Sequence, residues 1–208
     1  MRIVVFGASG GVGREVVAQA RAAGHEVTAF VRSPARLSDA EGIRVVTGDA
    51  FDAAAVAAAV VGHDAVVSAL GSSTGMKPSD EIERMTQNIV AAMTAADVSR
   101  IVTCASAGID GELTGVAGRA IAWMLRHPLA DHRAAVARIT AAGRAFTIAR
   151  PTSLTDGPLA ADYIEAFTGM PGNGKPIARA SVAHFLLKAL ADPETYVGAS
   201  VGLAARAR

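Results

Sequence analysis

The sequence predicts an α/β fold, a doubly wound parallel sheet in one domain with helices on both faces. Three observations carry that prediction. Short apolar runs of strand length alternate with helical patterns along the chain. The first run, Ile3-Val4-Val5-Phe6, leads without a break into a glycine-rich turn and then a helix. Of the 208 residues 51% are hydrophobic, ample for one core and short for two domains.

Each element has its local reason. Residues 3–6 form the first strand. A helix over 12–23 follows, with Val12, Val16, Val17 and Ala20 on one face and Gly24 as its stop. Residues 26–31 and 43–47 are the second and third strands. Asp52 caps a helix that runs to about 61 and ends at Gly62, its alanines at 53–59 serving helix propensity and close packing. Residues 64–70 are the fourth strand, 81–96 a long helix and 101–105 the fifth strand. Helical sequence spans 116–142 and is expected to break at Pro128. Trp123 and Met124, central in that apolar stretch, are expected to pack. Residues 145–150 are the sixth strand. The segment 151–176, with Gly157-Pro158 and Pro171-Gly172-Asn173-Gly174, is irregular and expected to hold one short helix near 160–167. A short strand at 177–179, a helix at 181–190 and a last strand at 195–202 complete the chain.

The turn Gly7-Ala8-Ser9-Gly10-Gly11-Val12-Gly13 sits between a strand and a helix. Glycines let the backbone turn tightly and come close to a ligand. The helix start presents unpaired N–H groups and a partial positive charge, so the unit suits a diphosphate. After the second strand, a site for an unphosphorylated ribose would place an acid on the 2′-hydroxyl. This chain has Arg32, Ser33 and Arg36 there. A forked cation suits a 2′-phosphate, which a carboxylate would repel, so the expected cofactor is NADP(H). Ligands of such sheets bind beyond the carboxyl ends of the strands. That rule selects Gly7, Ser9, Gly10, Gly11, Val12 and Gly13, then Arg32, Ser33 and Arg36, then Asp49 and Ala50, then Ala69, Leu70 and Gly71. Substrate entry is expected over the loops at 71–80, 107–115 and 151–174.

Composition narrows the function further. The net charge of +1 offers nothing to nucleic acid or an acidic membrane. No apolar run reaches the roughly 18 residues of a membrane span. A first strand at residue 2 or 3 leaves no room for a signal peptide, so a cytoplasmic protein is expected. Cys104 is the one cysteine, which excludes an internal disulfide; in a buried strand it reads as a small hydrophobe. His25, His63, His127 and His184 are scattered without ligand spacing, so no metal is expected.

The spacing of Gly7, Gly10 and Gly13, with two residues in each gap, resembles the short-chain dehydrogenase superfamily in its extended and atypical branches. Further blocks resemble one atypical group. They are Asn88-Ile89-Val90-Ala91-Ala92-Met93, Thr103-Cys104-Ala105-Ser106-Ala107, Asp131-His132, Arg150-Pro151, Asp156-Gly157-Pro158-Leu159 and Val182-Ala183-His184-Phe185-Leu186. In this order they are similar to the NAD(P)H-binding proteins of the biliverdin reductase B, or flavin reductase, type. The resemblance implies a Rossmann-like fold, an adenine contact from Asp49 in Gly48-Asp49, and a substrate-facing role for Ser106. Ser153 stands where that group carries a histidine, a departure that puts an acid role there in doubt.

Carbonyl-reducing members of the superfamily use a Tyr-x-x-x-Lys pair. Here Phe167 stands four residues after Tyr163, and Ser200 four after Tyr196, so the pair is absent. Hydride transfer then suits an acceptor that spreads charge over a conjugated system. The expected activity is NADPH-dependent reduction of a flavin, quinone or linear tetrapyrrole, with Ser106, His132 and Ser153 as catalytic candidates. His132 beside Asp131 could titrate near neutrality or be a plain surface histidine behind a helix cap. The alternative is a non-catalytic NADP(H) sensor that reports to a protein partner, favoured by the thin acid–base equipment. The expected partner is a small conjugated molecule, with the chain a monomer or homodimer.

Overall fold

The apolar run after Met1 forms β1 (Arg2–Phe6), whose Ile3, Val4, Val5 and Phe6 are fully buried. Strands buried on both faces need a cover on each. The computed structural model describes residues 1–37, 41–172 and 174–206. Asn173, in the segment expected to be irregular, lies outside them.

Parallel to β1 run β2 (Glu26–Val31) and β4 (Ala65–Ser68), with Ile3 opposite Val27 on one side and Ala65 on the other. Outward from these lie β3 (Arg44–Thr47) on one flank, and β5 (Arg100–Cys104) and β6 (Ala145–Pro151) on the other. Two later strands, β8 (Ile164–Ala166) and β10 (Ala199–Ala204), extend that flank. Among the described residues the sheet has eight strands in the order β3-β2-β1-β4-β5-β6-β10-β8. The connections reverse direction between β1 and β4, the switch point of a Rossmann-like sheet. A separate pair, β7 (Leu154–Thr155) and β9 (Ile177–Ala178), is parallel.

The two faces divide the core by strand alternation. Ile3 and Val5 join Val16, Val17, Phe185 and Leu186 beneath α1 (Gly11–Ala22) and α6 (Arg179–Ala191). Val4 and Phe6 join Val56, Ile89, Met93 and Ile139 beneath α2 (Ala53–Val60), α3 (Glu81–Ala95) and α5 (Arg126–Ala141). Asp52 caps α2 through bonds from the N–H groups of Ala54 and Ala55. No helix among the described residues is long and apolar enough to cross a membrane.

Four expectations are corrected. The helical stretch divides at Leu125, between α4 (Gly115–Met124) and α5. Pro128 falls in the first turn of α5, where its missing N–H removes no intrahelical bond. Trp123 and Met124 are not packed: α4 buries none of its residues, and Trp123 is 70% exposed with the Arg126 guanidinium over its ring. Residues 160–167 form no helix. Tyr163, Glu165 and Phe167 alternate toward His184, Lys188 and Tyr196, a period of two that fits strand β8, antiparallel to β10. The sheet is therefore mostly, not wholly, parallel. Finally, residues 193–196 are a helical turn, α7 (Pro193–Tyr196), because Asp192 caps it through the Thr195 N–H and Pro193 suits its first position.

Candidate functional site

Close backbone approach shapes the glycine turn. Gly7 has φ of +77°, and a Cβ there would sit 2.4 Å from the Ala69 carbonyl oxygen. A Cβ on Gly13 would sit 2.0 Å from the Gly7 oxygen. These two glycines draw the turn against the end of β4 and the start of α1 against the turn. Gly10 occupies the N-cap of α1 and supplies no side-chain cap, so the first N–H groups of the helix remain for a ligand.

A cleft of about 420 Å³ opens beyond the carboxyl ends of β1 and β4. Its floor holds Gly7, Ser9, Gly10, Gly11 and Val12. On the β2–β3 side stand Arg32, Arg36, Asp49 and Ala50, and the end of β4 contributes Ala69, Leu70 and Gly71. Gly13 is buried within the turn, and Ser33 is outside the lining. The Asp49 carboxylate accepts from the Phe51 N–H at 3.0 Å, and the Ala50 carbonyl from Asn88 Nδ2 at 2.9 Å, which fix this loop.

The β5–β6 side is apolar apart from one imidazole. Cys104, Ala105, Leu154 and His132 line it. Burial pushes the Cys104 thiol up to about 12, so it stays protonated and inert. His132 is held below its ordinary value by burial, against the opposing charge of Asp131. Asp131 itself faces away from the cleft. It is 2% exposed and accepts from the N–H groups of Ile82 at 3.2 Å and Glu83 at 2.9 Å, capping α3 from the neighbouring helix. Ser106 lies just past β5, outside the lining, its hydroxyl donating to the Ala107 carbonyl at 3.1 Å. Ser153 is exposed, also outside the lining, its carbonyl accepting from Ile177; Leu154 takes the cleft-facing place. Both tyrosines lie away from the cleft. Tyr163 meets Nδ1 of His184, and Tyr196 donates to Glu165.

Several lining residues escaped the sequence reading. Glu81, the first residue of α3, accepts from the Ser73 N–H and from the Ser72 and Ser73 hydroxyls. These bonds hold its carboxyl below the usual range, with Arg32 as a lesser cause. Phe30, Phe51 and Met85 give the β2–β3 side apolar surface suited to a flat ring. Arg179 lines the cleft beside the glycine turn. Its one signal in the sequence is position, at the carboxyl end of the short strand expected over 177–179.

Comparison with known proteins adds four likenesses. Residues 7–193 match the family described as NAD(P)H-binding. An isoflavone reductase homologue from Zea mays is 31% identical over 125 residues, covering 55% of this chain and 38% of the relative. The chain's matches span less than two fifths of each of the first three curated relatives. A Rossmann-fold NAD(P)-binding family protein from Shigella flexneri superposes with a TM-score of 0.78 at 27% identity, covering 100% of this chain and 96% of the other. The anaerobilin reductase ChuY of Escherichia coli O157:H7 superposes with a TM-score of 0.82 at 20% identity, covering 100% and 98%.

Proposed function

The chain belongs to the NAD(P)H-binding family, an oxidoreductase family with a Rossmann-like fold, and from that premise we propose that it is an NADPH-dependent reductase of flat conjugated acceptors such as flavins, quinones or linear tetrapyrroles. One observation carries the reading. The cleft runs from two arginines after β2, across an uncapped helix start, to an apolar end holding one imidazole and neither tyrosine.

The residues present fit the cofactor. Gly10, Gly11 and Val12 offer the α1 N-terminus to a diphosphate. Arg32 and Arg36 take the 2′-phosphate, while Phe30, Ala50, Phe51 and Met85 enclose the adenine side. Bound there, a nicotinamide supplies a hydride. Leu154, Ala105 and Cys104 form an apolar wall that keeps water from the transfer region. His132, neutral near pH 7 because burial disfavours its charge, orients the acceptor by hydrogen bonding. Ser106 lies next along the chain from this wall and is proposed as a second orienting hydroxyl; Ser153 contributes its backbone. A conjugated acceptor delocalises the incoming charge and takes its proton from solvent outside the transfer region, so the missing Tyr-x-x-x-Lys pair costs it little. The likeness of fold to an anaerobilin reductase makes a linear tetrapyrrole one acceptor of this class to test.

The test is steady-state NADPH consumption with FMN, riboflavin, a small quinone and biliverdin, beside NADH. Turnover with NADPH well above NADH supports the proposal. Tight NADP(H) binding without turnover overturns it in favour of a nucleotide sensor.

A further inference from the structure

The cleft holds a cation that the glycine turn and the arginines after β2 do not account for. Arg179 opens α6 directly after β9, and its side chain crosses the glycine turn. A Cβ built on Gly11 would sit 2.5 Å from the Arg179 Cδ and 2.6 Å from its Nε. Nothing larger than glycine leaves room for that stem where it lies. Nη1 donates to Oδ1 of Asp156 at 2.7 Å.

The pairing follows from the small second sheet. Leu154 is in register with Ile177 and Thr155 with Ala178, so Asp156 and Arg179 leave the carboxyl ends of β7 and β9 side by side. The partners differ in exposure. The Asp156 side chain is 95% exposed, and that of Arg179 30%. An ion pair with one partner so open is weakly held, because water screens it and solvates the acid equally well when it is free. A diphosphate at the α1 N-terminus offers the same guanidinium an oxyanion of higher charge, in a site where N–H groups already aim at it.

We propose that Arg179 is a ligand of the cofactor diphosphate, and that Asp156 is its resting partner, exchanged for a phosphate oxygen on binding. This rests on the cofactor reading above only for the presence of a diphosphate, which NADP(H) and NAD(H) share. Arg179 therefore serves both nucleotides, whereas Arg32 serves the phosphorylated one alone.

Calorimetric titration of the full chain with NADP⁺ and NAD⁺ tests the assignment. Arg179→Ala, and Arg179→Gln with its stem retained, weaken both nucleotides by a similar factor of about 10 or more, as the loss of a charge-assisted bond does. Asp156→Asn tightens both by about two- to fivefold, since a competitor of the strength of an exposed pair is gone. Arg179 variants that melt like the wild type and bind both nucleotides unchanged overturn the assignment. So does a loss confined to NADP⁺. Asp156→Asn weakening binding as much as Arg179→Ala overturns the exchange, because the pair would then be a fixed bridge. A wild-type chain that binds neither nucleotide defeats the cofactor reading itself, a different result from tight wild-type binding that ignores Arg179.

Discussion

Replacing Asp131 should loosen α3 and the cleft rim together. The Asp80 side chain makes no cap bond at the start of α3, and Ser79 Oγ accepts from its first N–H, that of Glu81. Asp131 of α5 caps the next two, with one carboxylate oxygen on each of the Ile82 and Glu83 N–H groups, at 2% exposure. In Asp131→Ala the lost cap costs about 1 kcal/mol and the second, buried N–H left without a partner about 2 more. The sum of about 3 kcal/mol corresponds to a fall of about 6–12 °C in Tm for a chain of this size. Asp131→Asn keeps one acceptor oxygen and should lose about half as much. Asp80→Asn is the control and should move Tm by less than about 2 °C, since Asp80 offers only an exposed pair with Arg84. Thermal unfolding by circular dichroism reads all three. Because Glu81 leads α3 and holds Ser72 and Ser73 at the rim, Asp131→Ala should also raise the KM for NADPH. A Tm for Asp131→Ala within about 2 °C of wild type would refute the reasoning, since the two N–H groups would then be satisfied by water.

Three further outcomes are expected. Arg32→Ala should weaken NADPH binding about 10- to 100-fold, or about 1.5–3 kcal/mol, and leave NADH within about twofold; equal losses in a fluorescence titration would remove Arg32 from the 2′-phosphate. Gly13→Ala should destabilise by about 3 kcal/mol or more, because its Cβ would fall 2.0 Å from a backbone oxygen that cannot move aside as a side chain does; a urea midpoint equal to wild type would contradict this. His132 has a folded-state pKa depressed by burial below its ordinary 6.5, so the unfolded chain binds the extra proton first as pH falls. The neutral imidazole's contribution is full above the unfolded value and is lost as pH falls toward and through the folded one. His132→Gln should therefore lose less Tm than wild type between about pH 7.5 and about pH 5, and parallel losses would contradict the assignment.

How much of the molecule the sequence discloses depends on whether a residue's reason is local. The turn from Gly7 to Gly13 is legible because backbone geometry alone demands glycine where the chain meets its own carbonyls. Asp49, Ala50, Ala69, Leu70 and Gly71 reach the cleft wall by a rule that needs only strand order, since each follows a parallel strand. The strand Ile164–Ala166 is not legible in that way. Its residues suit a helix equally well, and pairing with Gly202, Leu203 and Ala204, far along the chain, decides the matter. Pro128 misleads for the opposite reason: a proline breaks a helix interior but suits a first turn, and only the division at Leu125 says which applies. Asp131 shows the limit most clearly. Beside His132 it looks like half of a catalytic pair, yet its oxygens serve another helix, a contact that exists only once α3 packs on α5. Arg179 lies between these cases. The carboxyl-end rule would reach it if extended past the sixth strand, but the strand before it belongs to a second, two-stranded sheet whose placement beside the glycine turn is a tertiary fact.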